Sequence, residues 1–140
     1  MKTLNIAAAA TMLAVPAFAE GDAAAGAEQF DRQCVSCHVI ADDGGNVLAG
    51  RSARTGPNLY GIVGKAPGTV EGYRYGNSIV EYGETGATWS EETLVSYITE
   101  PTGFLREALD NNRARGKMAY KVRDAQQAAD ISAYLATFSE

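Results

Sequence analysis

Cys34-Val35-Ser36-Cys37-His38 is the stretch on which the reading of this chain turns. Two thiols three residues apart can each add to one of two vinyl groups along an edge of a porphyrin, and a histidine directly after them then lies beneath the metal. Three other chemistries use similar residues, and each lacks a partner here. Structural zinc takes four Cys or His ligands, but the sequence holds 2 Cys and 1 His, crowded at one place. A thioredoxin-like pair follows a strand in a βαβ unit, whereas this pair follows a helical pattern and precedes Gly-rich loops. A disulfide over so short a span closes a very small ring and removes little loop entropy. The pentapeptide therefore predicts one haem held covalently by Cys34 and Cys37. His38 is its proximal ligand, a neutral imidazole whose other nitrogen donates to a backbone carbonyl.

A second axial ligand is sought among soft donors. Met118 is the only methionine beyond residue 12. It sits in Gly116-Lys117-Met118-Ala119-Tyr120, a loop without the apolar neighbours of a methionine that merely fills a core gap. Ligation by His38 and Met118 fills both axial positions, which favours outer-sphere electron transfer over oxygen binding.

The N-terminus reads as a secretory signal: Lys2, an apolar run from Leu4 to Phe18, then Ala17-Phe18-Ala19 before Glu20. The run is shorter than the roughly 20 residues of a membrane span. Cleavage is expected after Ala19, with an uncleaved N-terminal anchor as the alternative. Residues 20–140 then form one domain, large enough for a single core around a cofactor. Without Lys2 the formal charge falls from −5 to −6. That balance argues against nucleic acid as a partner.

Helical spacing organises the rest. Asp22 caps a first helix with Ala23, Gly26, Ala27 and Phe30 on one side. From Ala41 to Thr69 glycine recurs without periodicity, which predicts loops. A short helix is expected over Asn77 to Tyr82, a firmer one from the cap Ser90 to just before Pro101, and another short one over Phe104 to Leu109. The last runs from about Ala125 to Thr137, with Asp124 as cap, Gln127 three residues on, and a buried stripe of Ile131, Tyr134, Leu135 and Phe138. No segment alternates as a sheet strand does, so the fold class is all α. Gly26 would let another backbone approach, and Phe30 would face Tyr134, so the first and last helices should pack together.

Cys34-Val35-Ser36-Cys37-His38, Thr55-Gly56-Pro57-Asn58-Leu59-Tyr60-Gly61, Lys117-Met118 and Asp130-Ile131-Ser132-Ala133-Tyr134-Leu135 together resemble the soluble class I cytochromes c. The resemblance is to the bacterial c2 and c550-like group, since seventeen positions separate Pro101 from Met118. It covers nearly all of residues 20–140. It implies that the Pro57 carbonyl accepts from the His38 ring, that Tyr75 and Trp89 reach a haem propionate, and that Tyr97 lies beside the Met118 sulfur. Lys65 stands where the family commonly has Arg, Gly116 where a hydroxyl residue often precedes Lys-Met, and Tyr120 in place of a frequent Phe. Read without the family, Trp89 and the tyrosines are equally well core aromatics.

The function implied is that of a periplasmic mono-haem electron carrier, not an enzyme. It would be a monomer taking electrons from a cytochrome bc complex to a terminal oxidase or photosynthetic reaction centre. Seven acids and one base lie between Glu81 and Asp110, and the sign then reverses. Arg113, Arg115, Lys117, Lys121 and Arg123 bracket Met118 without an acid, and are expected to form a basic rim on which redox partners dock transiently. An open sixth position, as in a haem enzyme or gas sensor, is disfavoured by the absence of a second His for acid–base work. A tethered donor in a larger dehydrogenase would require the uncleaved anchor.

Overall fold

A computed structural model describes residues 20–139. The expected signal, residues 1–19, lies outside them. Five helices follow one another: α1 (Ala23–Gln33), α2 (Asn77–Glu84), α3 (Glu91–Thr99), α4 (Pro101–Ala108) and α5 (Ala125–Ala136). None of them is long and apolar enough to cross a membrane.

Their ends follow capping chemistry. The Asp22 carboxylate accepts from the amides of Ala24 and Ala25, and Asp124 accepts from the Gln127 amide. Ser90 and Thr93 exchange side-chain and backbone hydrogen bonds in a reciprocal capping box. The α5 cap is simpler than Gln127 suggested, because the Gln127 side chain turns to Gln33 instead of back to its own helix end. α4 begins at Pro101, three residues earlier than expected: proline at the first helical position has its φ preset and sacrifices no intrahelical bond.

α1 and α5 pack face to face. A Cβ at Gly26 would run into the Asp130 carbonyl and the Tyr134 side chain, so only glycine permits the approach. Phe30 and Tyr134 lie beside that crossing with ring centroids 5.7 Å apart. Phe30, Ile131 and Leu135 are almost wholly buried, each worth about 1.5–3 kcal/mol on removal from water. α3 also packs on α5, and the Val122 amide donates to the Ile98 carbonyl at 2.9 Å, tying the chain before α5 to the end of α3.

The helical class stands, with one addition that straddles the start of the region expected to be loop, Ala41 to Thr69. β1 (Val39–Ala41) and β2 (Val47–Gly50) pair antiparallel, with a register shift between Ile40 and Ala41. Strands of three and four residues are too short to display alternation, and Val47 and Leu48 are both exposed, so no hydrophobic face announces them. The turn is held by side-chain chemistry: the Asp42 carboxylate accepts from the Asn46 backbone amide at 2.8 Å and from its side-chain amide.

Candidate haem site

The chain between α1 and α5 wraps a cavity of about 740 Å³, within the range of sites that enclose small organic cofactors. Cys34, Cys37, His38, Pro57, Tyr75, Trp89, Tyr97 and Met118 all line it. Sequence positions spread over 85 residues thus converge on one space. Ile79, Leu94, Ile98, Val122, Ile131 and Leu135 form much of its apolar wall.

His38 is positioned by the turn that ends α1 and by the loop carrying Pro57. Its Nδ1 lies 2.9 Å from the Pro57 carbonyl oxygen. A carbonyl only accepts, so Nδ1 carries the proton and Nε2 keeps its lone pair. Burial lowers the imidazole pKa, and the Pro57 carbonyl opposes that only in part, so the ring is neutral at pH 7. Gly56 makes the arrangement possible: the imidazole lies where its Cβ would be. The Gly56 amide donates to the Cys37 carbonyl at 2.7 Å, fastening this loop to the cysteine turn.

The two thiols occupy the turn after α1, where the amides of Cys37 and His38 both donate to the Cys34 carbonyl. Cys34 is pushed up to about 12, first by burial and then by the neighbouring Cys37, and is a neutral thiol in this fold.

An aromatic wall closes another side. The Trp89 ring centroid lies 5.0 Å from that of Tyr97, 5.8 Å from Tyr82 and 6.1 Å from Phe104. Burial first, then Tyr73 and Tyr75, pushes the Tyr97 hydroxyl up to about 12, and burial raises Tyr75 as well. Both are neutral donors at physiological pH. Lys65 does not join them. Its ammonium donates to the Tyr60 carbonyl, and it stands outside the cavity lining.

The Met118 loop is fastened on both flanks. Lys117 donates to the Arg74 carbonyl and sits 4.7 Å from the Tyr73 ring centroid, while the Tyr73 hydroxyl donates to the Thr55 carbonyl at 3.2 Å. On the other flank the Tyr120 hydroxyl donates to Gln33 at 2.9 Å. Gln33, Tyr73 and Arg32 line the cavity too. Sequence reasoning missed them because polar residues on a helix end or loop look the same whether they face water or a partner.

A neutral imidazole with a free Nε2, a thioether-bearing loop and a pair of thiols, set around an apolar space rimmed by phenol and indole donors, fit a porphyrin with its propionates. Among the described residues no Asp or Glu lines the cavity, so none of these opposes two propionate charges. The structure thus defines a helical haem protein, and the chain belongs to the cytochrome c family, whose model matches residues 23–139. It is similar to cytochrome c2 of Rhodovulum adriaticum, 52% identical over 117 residues, which are 84% of this chain and 92% of that one. With cytochrome c-551 of Roseobacter denitrificans it shares 46% identity over 138 residues, 99% and 96% of the two chains. Among solved structures, cytochrome c2 from Rhodobacter sphaeroides aligns with a TM-score of 0.82 at 45% identity over 86% of this chain and 98% of that one. The cofactor of this family is haem c, bound covalently with His and Met as iron ligands.

Proposed function

We propose that the chain is a periplasmic one-electron carrier in which Cys34 and Cys37 hold the haem through thioethers and His38 and Met118 bind its iron. The observation that carries this reading is the convergence of all four side chains on one apolar cavity in which His38 is already oriented, neutral and free at Nε2. When bound, the haem supplies a metal that gains or loses one electron without making or breaking a substrate bond.

The protein's part is positional. The Pro57 carbonyl fixes the His38 ring and tautomer. Tyr75 and Trp89 offer O–H and N–H donors to the propionates, and Tyr97 flanks the Met118 sulfur. The buried apolar walls exclude water, so little solvent reorganises when the charge changes. With His38 and Met118 both holding the iron, no position there would be open to a substrate, which supports a carrier over an enzyme.

Removal of residues 1–19 on export would leave the soluble domain in the periplasm. There it would receive electrons from a cytochrome bc complex and pass them to a terminal oxidase or a photosynthetic reaction centre. The docking surface is the basic rim. Its members differ in freedom: Lys117 is tied to Arg74 and Tyr73, and Lys121 pairs with Glu100 at 2.6 Å. Arg113, Arg115 and Arg123 are exposed, and none forms an ion pair among the described residues. These three offer the available charge, while Lys117 and Arg32, which line the cavity, are engaged, Arg32 with Glu28 at 3.0 Å.

The test is optical. The oxidised protein should show the weak far-red absorption of an iron–methionine sulfur bond, and Met118→Ala should abolish it completely. Persistence of the band in that variant would remove Met118 from the site.

A further inference from the structure

Gln33 is the last residue of α1 and directly precedes Cys34. Its side-chain amide makes three hydrogen bonds to three different segments. Nε2 donates to Gln29 Oε1 one turn back at 2.8 Å and to Gln127 Oε1, in the first turn of α5, also at 2.8 Å. Oε1 accepts from the Tyr120 hydroxyl at 2.9 Å. One amide thus joins the helix that carries the cysteine turn, the helix that closes the fold, and the loop holding Met118.

We propose that Gln33 is a positioning residue for Met118, acting through Tyr120. The proposal rests on the reading of Met118 as the iron ligand. Tyr120 is two residues from Met118 and half exposed, with 48% of its surface open, so apolar burial holds it only in part. Its hydroxyl bond to Gln33 is the side-chain bond nearest Met118 on that flank, with the Lys121–Glu100 pair one residue further on. The opposite flank is held separately by Lys117 on Arg74 and Tyr73. Gln33 and Tyr120 both line the cavity, as do Cys34 and Met118, so the bond spans from the thiol side to the methionine side of the same space.

The network is three amides and a phenol, uncharged at neutral pH. Salt therefore does not screen it, whereas an encounter steered by the basic rim weakens with ionic strength. The loop stays closed under the conditions that release a partner.

The experiment uses the oxidised holoprotein and added imidazole, which competes with Met118 for the iron, with loss of the far-red band as the readout. Tyr120→Phe and Gln33→Leu should each raise the apparent imidazole affinity about three- to tenfold, the factor set by loss of the Gln33–Tyr120 bond, the one of the three Gln33 bonds that reaches the Met118 loop. The double variant should exceed the larger single effect by no more than experimental scatter, because both substitutions remove the same link. Gln126→Ala, which removes a hydrogen bond to Asp130 away from the cavity lining, should leave the affinity unchanged. Unchanged affinity in the first two variants, additive effects in the double, or an equal rise in Gln126→Ala would each overturn the proposal. If the band survives Met118→Ala, the ligand assignment itself fails. If that band is lost and the imidazole affinities do not move, the role of Gln33 alone fails.

Discussion

Gly26 and Asp130 meet backbone to backbone, with no room at position 26 for a single additional carbon. Asp130 is itself 7% exposed, and its carboxylate accepts from the Asp22 amide and the Gln126 side chain, both at 2.8 Å. The crossing of α1 and α5 is therefore fixed at two adjacent points. Overpacking a tight contact costs about 1–3 kcal/mol and more when backbone must move. Gly26→Val should lower the holoprotein's unfolding free energy by about 3 kcal/mol in urea titration, with the denaturant slope unchanged.

Charge at the rim should act on encounter and not on the haem. Replacing Arg113 and Arg115 by Glu should slow reduction by a cytochrome bc complex on the order of tenfold at low salt. At 1 M salt, where the screening length is about 3 Å, the variant and the parent should converge. Stopped-flow rates across a salt series measure this. Equal rates at low salt would remove the rim from docking. Lys121 is a poorer choice for the same test, since changing it also frees Glu100.

Ser132 is wholly buried on α5, and its hydroxyl has no hydrogen-bond partner among the described residues. An unsatisfied buried hydroxyl costs about 1–3 kcal/mol, and removing it leaves only a small change in volume. Ser132→Ala should stabilise the protein by about 1 kcal/mol, seen as a higher urea midpoint. A loss of stability would show that the hydroxyl has a partner, such as a buried water.

Asp42 should titrate below its ordinary value of 3.8, because the Asn46 side chain and backbone amides stabilise its charged form. A depressed carboxylate contributes to folding above its unfolded pKa, and that contribution fades as pH falls through the lower folded value. The β-hairpin turn should therefore loosen only in strong acid. Carboxylate chemical shifts followed by NMR give the midpoint directly, and Asn46→Ala should move it back up.

How much of this was legible in the sequence differs by type of interaction. The caps Asp22, Ser90 and Asp124 and the stripe Ile131, Leu135 are local patterns, and they located the helices to within a few residues. Gly26 and Phe30 also announced the helix pair, because a small residue beside an aromatic on one face has few other uses. The hairpin was hidden, since Val39–Ala41 is too short for periodicity and its turn depends on Asp42 reaching Asn46. Cys34, Cys37, His38 and Met118 line one cavity, but the network around Gln33 did not show in advance. Gln127 read as half of a capping box, and only the crossing angle of the helices turns its amide toward Gln33. The tying of Lys117 to the Arg74 carbonyl was equally invisible, as it joins segments 43 residues apart.

The pairing of α1 with α5 also sets a clock. A ribosome makes residues 23–33 long before residues 125–136, so α1 has no surface to settle on until almost the whole domain exists. Throughout that interval the cysteine turn behind α1 is open to solvent, and the burial that raises the Cys34 thiol is not yet in place. Folding buries Cys34 beside Cys37 and lifts it to about 12, which ends its usefulness as a nucleophile.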